Sequence, residues 1–414
     1  PFRHGTDVVG RKNLLFSSLT VFGDWRTAIA MNDLGQREVA QLATRLNLDV
    51  DWKFTATERI HAFFRPLDRK GDFTRWEFGG PNADHRPKVR LDFTPQTLFF
   101  EGDIGAIAAG LSDSYKSFDL PIAFGLTPFL FQNGIWVDDA MVGFGFAIPS
   151  LNSRLLNISN MDLTFFSAFH DVSSAALVDK NGQLRKDNAR LYGAAAFVEA
   201  LEGYFEFGVG YVDGHDVLRD LDYVNATAAF TRRYWDTVSN SLRVVWNTGQ
   251  KRSQGNAQTA DGFAVLFESS LVTAKPYTLV PYLNGFIGFD RPQPLARDAG
   301  TGGILKNTGI NFETDGLTGF PTLDATAQNT WGGALGVNYL FNLDQQIVLE
   351  AATVQTLRGN KVRGQPAQDA QYAVGMRYQI PLTNDLIFRT DGIYGFRADS
   401  KDVAGVRGEV RLKF

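Results

Sequence analysis

The sequence predicts an all-β protein, a transmembrane antiparallel β-barrel, and the last segment shows why. In residues 404–414, small or apolar residues alternate with Arg407, Glu409, Arg411 and Lys413. Side chains of a strand point alternately to opposite faces of the sheet, so this strand has one apolar and one charged face. The same alternation recurs along the chain. It is typical of strands with lipid on one side and a wet lumen on the other.

Composition permits this class and argues against several others. The chain has 414 residues, 44% of them hydrophobic, and no run of about 18 apolar residues that would form a spanning helix. The absence of cysteine fits an exported protein and excludes disulfide scaffolds, thiolate metal sites and covalent haem attachment. A net charge of -4 argues against a nucleic-acid partner. The chain starts at Pro1 without a leader pattern, so we expect any secretory signal to have been removed.

The alternating segments predict about eighteen strands, with sixteen possible because the pattern is weaker between residues 106 and 155. The predicted strands lie near 14–31, 38–54, 58–66, 87–106, 119–128, 138–148, 155–170, 188–199, 202–212, 221–234, 238–249, 261–273, 277–289, 329–341, 345–357, 369–380, 384–397 and 404–414. An even strand number places both termini on the short-turn, periplasmic side. We therefore predict an N-terminal periplasmic segment, 1–13, followed by a single barrel, 14–414.

Short turns and long loops are predicted to take opposite ends of this barrel. The clearest hairpin joins residues 45–54 to residues 58–66, and the long extracellular loops are 67–86, 171–187 and 290–329. The last of these is rich in Gly, Thr and Asn, and loops of this length usually carry function or are mobile. It either folds inward at the mouth or is a disordered surface loop. The sequence leaves both open.

Aromatic residues gather where the predicted strands meet the short turns. Such residues favour the membrane–water interface, where they form a girdle. The predicted girdle contains Trp52, Phe54, Tyr234, Trp235, Tyr339, Phe341 and Phe414.

The charged faces predict a lumen in which cations outnumber anions. The cations expected to line the lumen and to set its selectivity for anions are Arg45, Lys53, Arg90, Arg233, Arg243, Arg377, Arg389, Arg407, Arg411 and Lys413. A positively lined passage concentrates anions, and arginine offers a fork suited to carboxylates. The alternative is a structural ladder of Arg–Asp and Arg–Glu pairs that holds a water-filled barrel together.

Enzymatic chemistry is not indicated. The histidines are scattered, and none lies beside a recognisable nucleophile motif. The stretch Asp179-Lys180-Asn181-Gly182 resembles the start of a calcium loop but lacks the remaining ligands, so a turn is the better interpretation. We therefore predict no catalytic residue, no metal and no cofactor.

Two features resemble known outer-membrane proteins. The terminal phenylalanine resembles the C-terminal signature of bacterial outer-membrane barrels. An eighteen-strand barrel with an arginine-laden lumen resembles the alginate-export porin family, and the segments 124–128 and 131–139 are similar to a strand and a Trp-Asp loop of that family. Leu126 and Thr127 stand where family members carry Arg and Gln. The resemblance implies passive passage of an anionic polysaccharide across the outer membrane, with periplasmic partners feeding it.

Three functional hypotheses follow. The first is a passive outer-membrane channel for anionic solutes or an acidic polysaccharide, embedded in lipid and lipopolysaccharide. The second is a structural barrel that sheathes or docks a periplasmic or surface protein, for example a cytochrome or a filament. The third is a soluble all-β protein that binds or hydrolyses carbohydrate.

Overall fold

Eighteen antiparallel strands form one closed barrel in the computed structural model. The structure describes residues 5–81, 83–179, 181, 183–251, 258–275, 277–313, 316–342, 344–357, 361–362, 365–366 and 370–414. The barrel strands are β1 (Ser18–Asp33), β2 (Glu38–Lys53), β3 (Arg59–Phe64), β4 (Pro95–Asp103), β5 (Pro121–Phe131), β6 (Val137–Ser153), β7 (Ile158–His170), β8 (Ala189–Ala200), β9 (Gly203–Gly214), β10 (Tyr223–Tyr234), β11 (Val238–Thr248), β12 (Asp261–Leu271), β13 (Leu279–Arg291), β14 (Thr330–Phe341), β15 (Gln345–Thr356), β16 (Gln371–Pro381), β17 (Leu386–Arg397) and β18 (Val403–Lys413).

The barrel closes where the last strand pairs with the first. β1 pairs with β2 on one side and with β18 on the other, in a register that places Arg26 opposite Arg411. The other strands of the wall pair with their neighbours in chain order, except that part of β2 pairs with a strand at Asp72–Gly79. The predicted fold class and the strand number of eighteen are therefore confirmed, and both ends of the barrel sequence lie at the short-turn end.

The two faces of the wall follow the predicted alternation. In β18, Val406 is 64% exposed, whereas the neighbouring Arg407 is 1% exposed and Glu409 is 4% exposed. The apolar side chains thus point outward and the charged ones inward. Among the described helices, none has the length and apolar character that crossing a bilayer requires.

Aromatic side chains mark both rims of this apolar outer surface. At the short-turn rim, Trp52, Trp235 and Phe414 are exposed, as the girdle prediction requires. A second set, which the sequence analysis did not identify, is exposed at the long-loop rim and includes Trp331 and Tyr372. Two such rims are typical of a barrel that sits in a bilayer.

The wall after β2 departs from the prediction. The predicted strand 58–66 is shorter in the structure, where β3 pairs only with residues 48–53 of β2. Residues 40–44 of β2 pair instead with the strand Asp72–Gly79, which lies within the predicted loop 67–86. The predicted strand 87–106 is regular only from Pro95, and before it Lys88 forms an isolated bridge with Arg75. Proline lacks the N–H that a sheet ladder needs, and Pro66, Pro87 and Pro95 interrupt the wall here.

A short helix, α1 (Ile104–Ser112), follows β4 at the short-turn end, where the sequence predicted the end of strand 87–106 and the connection after it. Asp103 caps it by accepting a hydrogen bond from the backbone N of Ala106 at 2.7 Å. The N-terminal residues lie near this end, because Asn13 donates to Glu58 at 2.7 Å.

Candidate functional site

The lumen is the candidate site, and nine of the ten predicted cations lie on the inward-facing positions of barrel strands. These nine are Arg45 and Lys53 on β2, Arg233 on β10, Arg243 on β11, Arg377 on β16, Arg389 on β17, and Arg407, Arg411 and Lys413 on β18. Arg90 is the exception. It lies in the irregular segment before β4, where its Nε donates to Asp72 at 2.7 Å, so its placement in a barrel strand was wrong.

Asp391 on β17 brings three of these arginines together. Its carboxylate oxygens lie 2.7 Å from Nε of Arg377, 2.9 Å from Nε of Arg389 and 2.6 Å from Nη2 of Arg407. Glu313 adds a second carboxylate, 2.6 Å from Nη1 of Arg377. Among the described residues, the cluster thus contains three guanidiniums and two carboxylates.

Two other predicted cations are also paired. Arg243 donates to Glu206 at 2.9 Å and to the side chain of Gln132. Arg411 lies 2.9 Å from Asp24. These groups, like the Asp391 cluster, fit the structural ladder that the sequence analysis kept as its alternative.

Four predicted cations have no carboxylate within 4 Å in the described part of the chain, namely Arg45, Lys53, Arg233 and Lys413. Arg45 donates to Asn47 at 2.7 Å, and Lys53 lies over the ring of Phe16. Lys53, Arg233 and Lys413 lie near the short-turn ends of their strands, and Arg233 and Lys413 are exposed. The lumen cations thus divide into a paired set and an unpaired set.

The long connection between β13 and β14, residues 292–329 with 314 and 315 outside the described residues, folds into the lumen. We call it the inward loop. Glu350 on β15 anchors it, since its carboxylate accepts hydrogen bonds from the backbone N of Ile310 and of Asn311, each at 2.9 Å. The same carboxylate accepts from the Asn311 side chain at 2.8 Å and from the Tyr282 hydroxyl at 2.5 Å.

Apolar contacts hold both ends of the inward loop against distant parts of the wall. Leu317 packs with Ala28 and Ala43 of β1 and β2, and with Phe73. At the other end, Leu295 belongs to the buried cluster that also contains Trp136 and Tyr223. The loop therefore crosses the lumen at its long-loop end, which answers the question that its sequence left open.

A second connection, between β7 and β8, packs against the inward loop. The backbone O of Ser173 accepts from the backbone N of Arg297 at 2.7 Å. The Tyr223 hydroxyl donates to Ser174 Oγ, 2.9 Å away, or to the backbone O of Leu295, 2.8 Å away. Two connections of the long-loop end thus form one packed layer inside the barrel.

The sequence analysis missed Trp136 and Arg297 as lumen residues. Trp136 is 0% exposed and donates from Nε1 to Asn225 at 2.7 Å, so the turn after β5 points inward. The sequence did give an indication of this position, because Trp136 stands in segment 131–139, which the sequence analysis compared with a Trp-Asp loop of the alginate-export family. Arg297 lies in a two-residue strand, Ala296–Arg297, within the connection between β13 and β14, and so short a strand has no periodicity to identify it.

One group of side chains at the long-loop rim has the residue types of a metal site. His170 lies 3.1 Å from Asp171 and 3.4 Å from Asp187. Potential ligand atoms of the three lie within 4.8 Å of one another. His170 and Asp187 are exposed, and such exposed acidic groups are common without a metal. The calcium-like stretch at Asp179 falls partly outside the described residues.

Comparisons with known proteins identify the fold. No family model and no curated protein sequence matches this chain. Among solved structures, Pseudomonas aeruginosa OpdK with vanillate is 12% identical at a TM-score of 0.59, covering 96% of this chain and 98% of that one. Acinetobacter baumannii OccAB3 is 9% identical at a TM-score of 0.60, covering 96% of this chain and 99% of that one.

A third similar structure is Wzi of Escherichia coli, described as a carbohydrate-binding β-barrel of the outer membrane involved in group 1 capsule assembly. It is 14% identical at a TM-score of 0.53, covering 95% of this chain and 84% of that one. At such identities the similarity concerns the fold alone. It agrees with the closed barrel of eighteen strands.

Proposed function

We propose that this protein is a bacterial outer-membrane channel through which small anionic solutes pass passively, without catalysis or a cofactor. One observation carries the proposal: a closed barrel with an apolar outer face encloses a polar lumen, and some lumen cations have no carboxylate partner among the residues that the structure describes. The similarity in fold to outer-membrane proteins, among them an OpdK structure with vanillate, supports it. The short turns and residues 1–13 would face the periplasm in this arrangement.

The unpaired cations are the source of the proposed selectivity. A cation bonded to a carboxylate adds little net field, whereas an unpaired one in a low-dielectric passage raises the local concentration of anions. Arg45, Lys53, Arg233 and Lys413 are therefore the selectivity residues of this proposal. The paired set, Arg243, Arg377, Arg389, Arg407 and Arg411, maintains the lumen wall.

Replacing all four unpaired cations with glutamine is expected to lower the anion-to-cation permeability ratio about threefold or more, because lumen potentials amount to several kT. Reversal potentials across a planar bilayer in a KCl gradient measure this ratio. A matched control replaces the whole ion pair, Arg411→Gln with Asp24→Asn, and removes no net charge; its ratio should stay at the wild-type value. Cation preference of the wild-type channel would overturn the proposal, and an unchanged ratio in the fourfold variant would refute the residue assignment.

An acidic polysaccharide is the second candidate solute. The resemblance of segments 124–128 and 131–139 to the alginate-export family favours it, and the fold is shared with Wzi, which is described as carbohydrate-binding. The inward loop favours small solutes, because it occupies space that a polymer would need. Uronic-acid oligomers that enter the pore should interrupt the current for milliseconds, whereas an unaffected current would exclude this candidate.

The structural-barrel hypothesis would require a stoichiometric partner after purification. The inward loop also counts against a protein sheathed within the lumen, because its contacts with Ala28, Ala43 and Glu350 cross that space. A partner docked on the periplasmic or surface rim is compatible with these contacts.

A further inference from the structure

A cavity of about 400 Å³ lies between the inward loop and the connection that joins β7 to β8. Much of its wall is apolar and includes Val172, Leu177, Leu184 and Ile304. Pockets that bury a small molecule are typically of this size, with few polar groups among apolar ones. This cavity therefore has the dimensions and the lining of a ligand site.

Three cations also line the cavity, and two of them are paired. Lys186 lies 2.9 Å from Asp298, and Arg185 lies 2.7 Å from Asp179. The hydrogen bond from Lys186 lowers the pKa of Asp298 against the raising effect of burial, so this pair is charged at neutral pH. These two cations are thus compensated within the protein.

Arg297, the third cation, has no ion-pair partner among the described residues, and the carboxylate that acts on it from a distance, Asp138, is itself paired with Lys306. Arg297 is 4% exposed, and its Nε and Nη1 donate to Thr301 Oγ1 at 3.2 Å and to the backbone O of Gly303 at 2.6 Å. Among the described residues, its Nη2 has no hydrogen-bond partner and no carboxylate lies within 4 Å. Burial lowers the pKa of Arg297 to about 10, which leaves the guanidinium charged at neutral pH.

A buried guanidinium without a counter-charge is energetically costly, and an anion that reaches it removes part of that cost. We propose that this cavity binds an organic monocarboxylate with a compact apolar body, whose carboxylate accepts from Nη2 of Arg297. The apolar wall receives the body of the ligand and disfavours small, strongly hydrated ions. This inference rests on the proposed function and names the class of solute that it would pass.

Calorimetry on the purified, detergent-solubilised protein tests the site with benzoate as the probe. Benzamide has the same ring and no charge, and sulfate has charge and no apolar body. We expect benzoate to bind one per chain, with benzamide and sulfate at least tenfold weaker. Equal affinity for benzoate and benzamide would overturn the proposal.

Amino-acid substitutions test whether benzoate binds in this cavity and not elsewhere on the protein. Arg297→Gln should weaken benzoate at least tenfold, whereas Arg232→Gln, at the short-turn end of β10 and remote from the cavity, should leave it unchanged. Because Arg297 is buried, Ala175→Trp serves as a second variant: Ala175 is an exposed residue of the cavity lining, and a tryptophan there should block benzoate while Arg297 remains. Wild-type affinity in either Arg297→Gln or Ala175→Trp would overturn the inference.

The outcome is independent of the channel test. Chloride preference without benzoate binding would retain the proposed function and remove this inference. Benzoate binding in a channel that prefers cations would retain this inference and remove the proposed function.

Discussion

Replacing Glu350 with alanine is expected to release the inward loop and to raise the single-channel conductance several-fold. The substitution leaves the backbone N–H groups of Ile310 and Asn311, the Asn311 side chain and the Tyr282 hydroxyl without their acceptor. A buried donor that loses its partner costs about 1–3 kcal/mol. The docked position of the loop should therefore weaken by at least about 3 kcal/mol, and limited proteolysis within 292–329 should accompany the higher conductance.

Glu101→Ala is the matched control for this prediction. Glu101 is also a lumen carboxylate, but it pairs with Arg59 and makes no hydrogen bond or ion pair with a described residue of the inward loop. The conductance of the Glu101→Ala channel should remain close to the wild-type value. Wild-type conductance and protease resistance in Glu350→Ala would mean that the apolar contacts at Leu317 and Leu295 hold the loop without the carboxylate.

Replacing Asp391 with alanine is expected to destabilise the barrel by about 3–5 kcal/mol, since breaking a buried ion pair leaves an uncompensated charge. Here the charges that lose Asp391 are the guanidiniums of Arg377, Arg389 and Arg407, and the first two also lie within 4.0 Å of Glu313. Urea unfolding in detergent, followed by the heat-modifiable mobility of the folded barrel, measures the loss. Asp24→Ala should lose less, because its partner Arg411 is about half exposed and exposed pairs contribute little.

A double variant distinguishes two causes of the lost stability: a buried charge without its partner, and the loss of packing. Asp391→Asn with Arg407→Met removes one carboxylate and the most deeply buried of the three guanidiniums. It should be more stable than Asp391→Ala, because one fewer guanidinium has lost its bond to Asp391. Equal instability of the two variants would attribute the loss to packing around β17.

Local alternation was enough to predict most of the strands and their faces. In β18 the period of two separates Val406 from Arg407, and pairing with β1 follows once the barrel has to close. The same rule failed before β4, where prolines interrupt the ladder and Arg90 was assigned to a strand. It also missed α1, because a short helix in a connection carries no barrel periodicity.

The partners of lumen residues could not be predicted by the same means. Whether an arginine is paired depends on side chains that the barrel brings together from distant positions, as with Asp391 and Arg407. The inward loop adds Glu313 to that cluster, and Glu350 finds its donors about forty positions away in the sequence. Alternation assigns a residue to a face, but it does not identify the neighbour.

The seam between β1 and β18 is held by two diagonal salt bridges. Arg26 reaches Glu409 at 2.7 Å, and Arg411 reaches Asp24 at 2.9 Å. A slip of one residue would turn every side chain of the joining strand to the opposite face. Glu409 would then meet hydrocarbon, and both bridges would be lost. The pairing of the first and last strands thus favours the correct register during assembly, because only in that register do all four charged side chains find their partners.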